Sequence, residues 1–523
     1  MKTFSQYLRH RASTEGTTNW ISDVDGRAAT YAEIDSRATL VASALAANGF
    51  VAGSRILINA GNSIEFIGVI LGVLRAGCVA VPVNAALAGA MLSHVCRDAD
   101  SNILFADAQS AARFKDIAAE VPAVSRIITI DTDGEGFETL EDFLKSGSDH
   151  SFEEPHIAMS DVAAILYTSG TTGPSKGVML PHEHLYQSAI HYVQQLRLTN
   201  EDSIYCTLPM FHLNGLTLQL FASLIVGCPF TFRRHFSASS WLGDVQRSKA
   251  TVTNMLGSMT EFLFAQPETA ADAENNLRNI VAAPIPQSLR ERFEKRYGLR
   301  LVELYGMTEI TSPFYMPVDG SGPAGSCGRL LEDSFEVAIV DFDTDLPVPV
   351  GSVGELVVRP RNPFGFMAGY FRRPEATVAA WRNLWFHTGD VMRADENGFY
   401  YFVDRVKDCV RRRGENISTY EVEQVLLQIE GVNEVAVIGV PSPFTEGEQE
   451  IMAVMVASES FDPQGAFDYF VKQLPRFAVP RIFELVDSLP KTGTGKVQKA
   501  ELRKRGITQA CNFWPEVSQR TAR

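Results

Sequence analysis

The sequence has no CxxC pair, and its seven cysteines, Cys78, Cys96, Cys206, Cys228, Cys327, Cys409 and Cys511, are scattered and odd in number. That excludes the spacing of a disulfide framework or a zinc ribbon and predicts reduced thiols. The first residues, MKTFSQYLRHRASTEG, lack the apolar segment of a signal peptide, and Arg520, Thr521, Ala522 and Arg523 form no peroxisomal address. A cytoplasmic protein is expected. Positive charge is short as well: 47 Lys and Arg stand against 62 Asp and Glu, a net charge of −15 over 523 residues. A general duplex-DNA or anionic-membrane binder would meet net repulsion, so neither is an expected partner, whereas small anions respond to local fields. Residues 76–96 lack Asp, Glu, Lys and Arg, but Gly77, Pro82, Asn84 and Gly89 interrupt them. They read as a buried strand and its turn, and no membrane span is expected.

Several catalytic signatures also fail. His182, Glu183 and His184 resemble the start of HExxH, yet Tyr186 stands where the second histidine belongs, so no zinc is assigned. Ser488 and Lys491 form an SxxK pair without SDN or KTG companions, and there is no GxSxG elbow. Hydrolase readings rank low.

What remains is a globular composition, 45% hydrophobic, with chain enough for several cores. Thr30 with Glu33 forms a capping box ahead of helix-spaced Ile34, Ala38, Val41 and Leu45, with Gly49 as a stop. RILINA at 55–60, a helix through Phe66, Val69, Ile70 and Val73, CVAVPV at 78–83, ILFAD at 103–107 and RIITID at 126–131 follow. Short β-branched runs alternating with helical patterns imply parallel α/β layers, an alternation expected to reach about residue 400. Near Asp404 the character changes, as Arg405, Lys407, Arg411, Arg412 and Arg413 crowd together. Beyond them a helix over 418–430, the strands EVAVIGV, EIMAVMV and RIFELV, and a helix including 467–474 predict a small α+β domain. The expected division is 1–404 and 405–523.

The strongest chemical signal is YTSGTTGPSKGVMLPH, Tyr167 to His182, after the apolar run VAAIL. Glycines let amide hydrogens converge, hydroxyls add donors and a lysine supplies a cation, so Thr168, Ser169, Gly170, Thr171, Thr172, Gly173 and Lys176 suit a phosphate. The loop is not a Walker A motif, because Gly177 follows Lys176. With it stand PMFHLNG at 209–215, ELYGMTE at 303–309, HTGD at 387–390, DRVKDCVRRRGENIS at 404–418 and PKTGTGK at 490–496.

In this order and spacing the six motifs resemble the adenylate-forming superfamily of acyl-CoA synthetases, peptide-synthetase adenylation domains and luciferases, over nearly the whole chain. The resemblance implies a large N-terminal domain of layered α/β subdomains and a small mobile α+β C-terminal domain. It implies a two-step reaction with ATP and Mg²⁺: a carboxylate attacks the ATP α-phosphate with release of pyrophosphate, and a nucleophile then takes the acyl group. By similarity the 168–176 loop grips the β- and γ-phosphates, Glu309 positions Mg²⁺ and Thr308 touches the α-phosphate. Asp390 accepts the ribose hydroxyls, Arg405 supports the ribose, and Tyr305, Gly306 and the backbone of Ala282, Ala283 and Pro284 border the nucleotide. Lys496 matches the lysine that reaches the carboxylate oxygen and α-phosphate during adenylation. Lys407 matches the hinge about which the small domain swings, to present either Lys496 or the basic 411–418 loop.

His212 matches the residue that closes the acyl pocket, which Asn214, Gly215, Met255 and Met307 are expected to line. Many relatives carry a glycine pair where Arg413 and Gly414 stand, bordering the pantetheine passage; Arg413 either narrows it or contacts the CoA phosphate. Ala282 replaces a glycine common among relatives. The short segment after Lys496 leaves no space for a fused carrier, so a free acceptor is expected. CoA ranks first and an amine, giving an amide, is the closest rival. Loading of a separate carrier protein comes third, and a nucleotide-binding regulator without turnover is disfavoured by the intact Lys496 and Glu309. The pocket walls suggest an apolar carboxylic acid.

Overall fold

The computed structural model describes residues 3–131, 136–148, 152–168, 175–285, 287–405, 410–412, 415–417, 419–444, 449–474, 478–491 and 497–514. The capping box is present: Thr30 accepts from the Glu33 N–H, Glu33 reaches back to the Thr30 N–H, and the helix spans Tyr31–Ala47. The apolar runs form the strands Arg55–Asn59, Val79–Pro82, Ile103–Ala106 and Arg126–Thr129, which pair in parallel within one eight-stranded sheet. The helix Ile64–Arg75 crosses between the first two, as a parallel connection requires. The remaining edge of this sheet carries Val162–Thr168, Lys176–Pro181 and Gly369–Tyr370, the last two joined antiparallel.

A seven-stranded sheet runs in the order Arg300–Val302, Asn279–Ala283, Val252–Leu256, Ile204–Cys206, Phe230–Phe232, Asn19–Asp23 and Ala28–Thr30, parallel except at the final pair. Alternation of strand and helix stops there. From Leu304 to Arg405 the chain forms a third, antiparallel sheet, and the expectation of α/β alternation to about residue 400 is corrected. The physical cause is the connections: antiparallel neighbours close through short turns, and the one helix within this stretch is Pro374–Ala380.

Beyond residue 410 the strands Val432–Pro441, Gln449–Ala457, Ile482–Leu485 and Asn512–Phe513 form a four-stranded sheet, flanked by the helices Thr419–Leu426, Pro463–Gln473 and Lys499–Arg505. Burial follows the same partition. Two apolar clusters draw on residues 4–402, and two others, one on each face of the last sheet, draw on residues 410–514. Among the described residues no helix is long and apolar enough to cross a membrane.

Candidate active site

The phosphate-loop signal sits on a hairpin. Val162–Thr168 pairs antiparallel with Lys176–Pro181, and the register sets Thr168 opposite Lys176. Ser169, Gly170, Thr171, Thr172 and Gly173 lie outside the described residues. The Lys176 ammonium stands 4.9 Å from the centre of the Tyr370 ring. The Tyr370 hydroxyl donates to Glu309 Oε1 at 3.0 Å. A short contact path therefore joins the hairpin cation to the expected metal carboxylate.

Glu309 lies in the turn between the strands Leu304–Met307 and Thr311–Tyr315, 6% exposed. Two features make this turn tight. Thr311 has φ +64°, a conformation costly for a β-branched residue. A Cβ at Gly306 would run into the Thr311 carbonyl oxygen, so glycine is needed there for closure. Burial pushes the Glu309 carboxyl above its ordinary value, while a backbone N–H, the Tyr370 hydrogen bond and the charges of Arg405 and Lys176 oppose it. The buried His184 faces the backbone of Thr308 and Glu309, and burial lowers it to about 3, so it is neutral at pH 7.

A second cluster joins the same sheet. Asp390, 1% exposed, stands directly opposite Arg405 on the neighbouring strand. Arg405 Nε lies 2.7 Å from Asp390 Oδ1, and the Tyr305 hydroxyl donates to Asp390 Oδ2 at 2.6 Å. Burial, then the Asp390 carboxylate, push the Tyr305 phenol well above its ordinary value, so it remains a donor. The assembly is an anionic acceptor oriented by two donors, which suits paired hydroxyls.

The third group comes from the seven-stranded sheet. Ala282 and Ala283 end the strand Asn279–Ala283 and stand beside Met255 and Leu256 in register. Pro284 is exposed immediately beyond. Asn254, next to Met255, donates to Asn214 Oδ1 at 2.6 Å and accepts from the Tyr192 hydroxyl at 2.5 Å. Asn214 opens the π-helical segment Asn214–Phe221, and a Cβ at Gly215 would come within 2.6 Å of the Pro209 carbonyl oxygen. This fastens the expected acyl-pocket residues Asn214, Gly215 and Met255 together. His212 is exposed beside them, its ring 4.4 Å from that of Phe211, and Met307 is half-buried at the end of the Leu304–Met307 strand.

Lys407, Arg413, Gly414 and Lys496 lie outside the described residues. Among the described residues of the C-terminal part the structure reveals contacts that sequence reasoning missed. The Asp404 carboxylate accepts from the Thr419 hydroxyl at 2.9 Å and the Tyr420 N–H at 3.2 Å. Lys499 donates to Thr419 Oγ1 at 2.7 Å and pairs with Glu423 at 2.8 Å. Arg412, expected to belong to a basic loop that enters the site, is buried and paired with Glu450 at 2.8 Å. Its charge is spent inside the small domain. His387 of HTGD pairs with Glu355 at 2.9 Å rather than facing Asp390's partners. With Asp345 these two could form a cation site, but the Arg382 guanidinium lies 3.2 Å from Asp345 and 3.6 Å from Glu355 and already supplies the positive charge.

The description AMP-binding enzyme matches residues 8–371, and AMP-binding enzyme C-terminal domain matches residues 421–496. The chain is 31% identical to a feruloyl-CoA synthase from Amycolatopsis sp over 483 residues, covering 92% of this chain and 94% of that protein. It is 29% identical to a sulfoacetate–CoA ligase from Cupriavidus necator over 487 residues, covering 92% and 93%. Among solved structures, ATP-bound MatB from Rhodopseudomonas palustris superposes with a TM-score of 0.86 at 29% identity, over 96% of this chain and 99% of that one.

Proposed function

The chain belongs to the AMP-binding enzyme family, and from that premise we infer how its residues divide the work of activating a carboxylic acid. It is an ATP-dependent, AMP-forming acyl-CoA ligase. Adenylation brings an anion to a polyanion, so its barrier falls only where fixed cations and donors meet the developing charge. In our reading the hairpin from Thr168 to Lys176 holds the β- and γ-phosphates, Thr308 contacts the α-phosphate, and Lys496 bridges the α-phosphate and the attacking carboxylate. Asp390, held by Tyr305 and Arg405, accepts the ribose hydroxyls, and the edge formed by Ala282, Ala283, Pro284 and Gly306 borders the adenine.

Glu309 fits a magnesium ion. A carboxylate this buried is costly to ionise alone, and a hard divalent cation taking oxygen ligands at its face would offset that cost. Glu309 would hold the magnesium, which would neutralise phosphate charge, and Lys176 adds a positive charge nearby.

For the second half-reaction we divide the chain at 404 and 405, with the hinge near Lys407. The small domain then withdraws Lys496 and presents the segment with Arg413 and Gly414 to the CoA thiol, while His212, Asn214, Gly215, Met255 and Met307 hold the acyl group. Its acid is left open, because a feruloyl-CoA synthase and a sulfoacetate–CoA ligase resemble the chain almost equally. The six described cysteines are free thiols, which supports a reducing, cytoplasmic setting.

The observation that carries this reading is the contact path from Lys176 through Tyr370 to the buried Glu309. The test is acid-dependent exchange of labelled pyrophosphate into ATP over a broad panel of organic acids, followed by mass spectrometry with CoA present. Exchange and an acyl-CoA product are expected, and Lys496→Ala should lower exchange by about 10²-fold or more while ATP still binds. A purified chain that never forms AMP and pyrophosphate with any acid overturns it.

A further inference from the structure

The segment 367–371 joins two sheets at the point where the phosphate hairpin meets the metal carboxylate. On one side it zips to the hairpin: Ala368 and Phe371 donate their N–H groups to the Met179 and Gly177 carbonyls, each at 2.8 Å, and Tyr370 stands opposite Val178. On the other side it grips the Glu309 turn twice. The Met367 N–H donates to the Glu309 carbonyl at 2.9 Å, and the Tyr370 hydroxyl donates to the Glu309 carboxylate at 3.0 Å. The Tyr370 N–H is itself held by Thr377 Oγ1 at 2.9 Å, which fixes the residue from behind.

We propose that Tyr370 is a positioning residue for magnesium: its hydroxyl fixes one oxygen of Glu309, and its ring face holds the Lys176 ammonium, so that metal carboxylate and phosphate cation are set by one side chain. This rests on the reading of Glu309 and Lys176 given above. The chemistry suits both tasks. Burial and the adjacent Glu309 carboxylate keep the phenol protonated, so it donates throughout the working pH range. Its aromatic face attracts an ammonium within about 6 Å, and Lys176 stands inside that reach at 4.9 Å. Groups that orient a metal-binding carboxylate typically change metal affinity by about 10- to 100-fold when removed.

Two variants of the full chain separate the two roles. Tyr370→Phe keeps the ring and deletes the donor. It should raise the Mg²⁺ concentration for half-maximal pyrophosphate exchange by about 10-fold, with the rate at saturating Mg²⁺ within about 3-fold of wild type. Mn²⁺ binding in the presence of α,β-methylene-ATP, read by electron paramagnetic resonance without turnover, should weaken by a similar factor. Tyr370→Leu removes the ring too and should add a rise in the KM for ATP that the Phe variant lacks.

An active wild type whose Phe variant keeps the same Mg²⁺ requirement and Mn²⁺ affinity overturns the proposal. So does a Phe variant whose losses accompany a lowered Tm and affect Mg²⁺, ATP and acid alike. A wild type without exchange refutes the ligase reading instead, and the Mn²⁺ measurement still decides the role of Tyr370.

Discussion

Arg405 and Arg412 come from the same basic run, each closes a strand, and each pairs with a buried carboxylate, yet they face different worlds. Arg405 meets Asp390 at 2.7 Å with 39% of its side chain exposed, at the rim where Tyr305 also converges. Arg412 meets Glu450 at 2.8 Å with 6% exposed, and its second nitrogen donates to the Val479 carbonyl at 3.2 Å. The first pair is open to a ligand. The second is sealed in the small domain. Charge density along a sequence marks where guanidinium groups occur; the exposure of each pair decides whether it serves chemistry or folding.

Substitution should make that difference measurable. Arg412→Ala leaves Glu450 buried without its main partner and should cost about 3 to 5 kcal/mol of stability, seen in chemical unfolding of the small domain. Arg405→Ala should cost less, because its pair opens on solvent, and should instead raise the KM for ATP about tenfold, or about 1.4 kcal/mol. Equal stability losses, or an unchanged KM in the Arg405 variant, would erase the distinction.

The reasons for what the sequence disclosed are local. Thr30 and Glu33 are three residues apart, the phosphate hairpin follows directly on its strand, and the apolar runs of the parallel sheets have the length and composition of buried strands. The pattern of the small domain was legible in the same way. Strand direction after residue 304 was not, because an apolar run looks alike in either orientation and the turn lengths carry the information. Nor was the support around the site. Tyr370 reaches Glu309 across 61 residues and Asn254 reaches Asn214 across 40, and no periodicity links such positions. The burial of Arg412 was hidden for the same reason, since its partner Glu450 lies on a distant strand.

The open rim also adjoins the junction between the domains, which allows a finer test. Asp404, next to Arg405, accepts from the Thr419 hydroxyl, and Thr419 in turn accepts from Lys499, close in sequence to Lys496. The Asp404 contact crosses the proposed hinge and must break when the small domain swings, while the Lys499 contact holds Thr419 from within the small domain. Thr419→Val removes both at once. Hydrogen bonds to charged groups are worth about 1.5 to 3 kcal/mol, so adenylation, which needs Lys496 near the site, should slow about 10-fold relative to acyl transfer. Single-turnover measurement of each half-reaction reads the ratio, and an unchanged ratio removes Thr419 from any control of the swing.

The smallest effect tests whether a buried carboxylate with no ion pair among the described residues differs from both pairs. Glu303 is 6% exposed, one of its oxygens lacks a hydrogen-bond partner among the described residues, the other accepts weakly from the Ile285 N–H at 3.4 Å, and the Arg290 charge only partly opposes its burial. Burial pushes it up to about 7. The unfolded chain loses this proton near pH 4.5 while the folded chain keeps it until about 7, so the stability it contributes is complete below 4.5 and is lost as pH rises through that window. Glu303→Gln keeps an acceptor without a charge to ionise. Its Tm should match wild type at pH 4.5 and exceed it by about 2 °C at pH 8, in keeping with a gain on the order of 1 kcal/mol. A constant Tm difference across that range would mean that Glu303 keeps its ordinary acidity despite its burial, and that sealing a carboxylate here costs nothing that Arg405 and Arg412 are needed to offset.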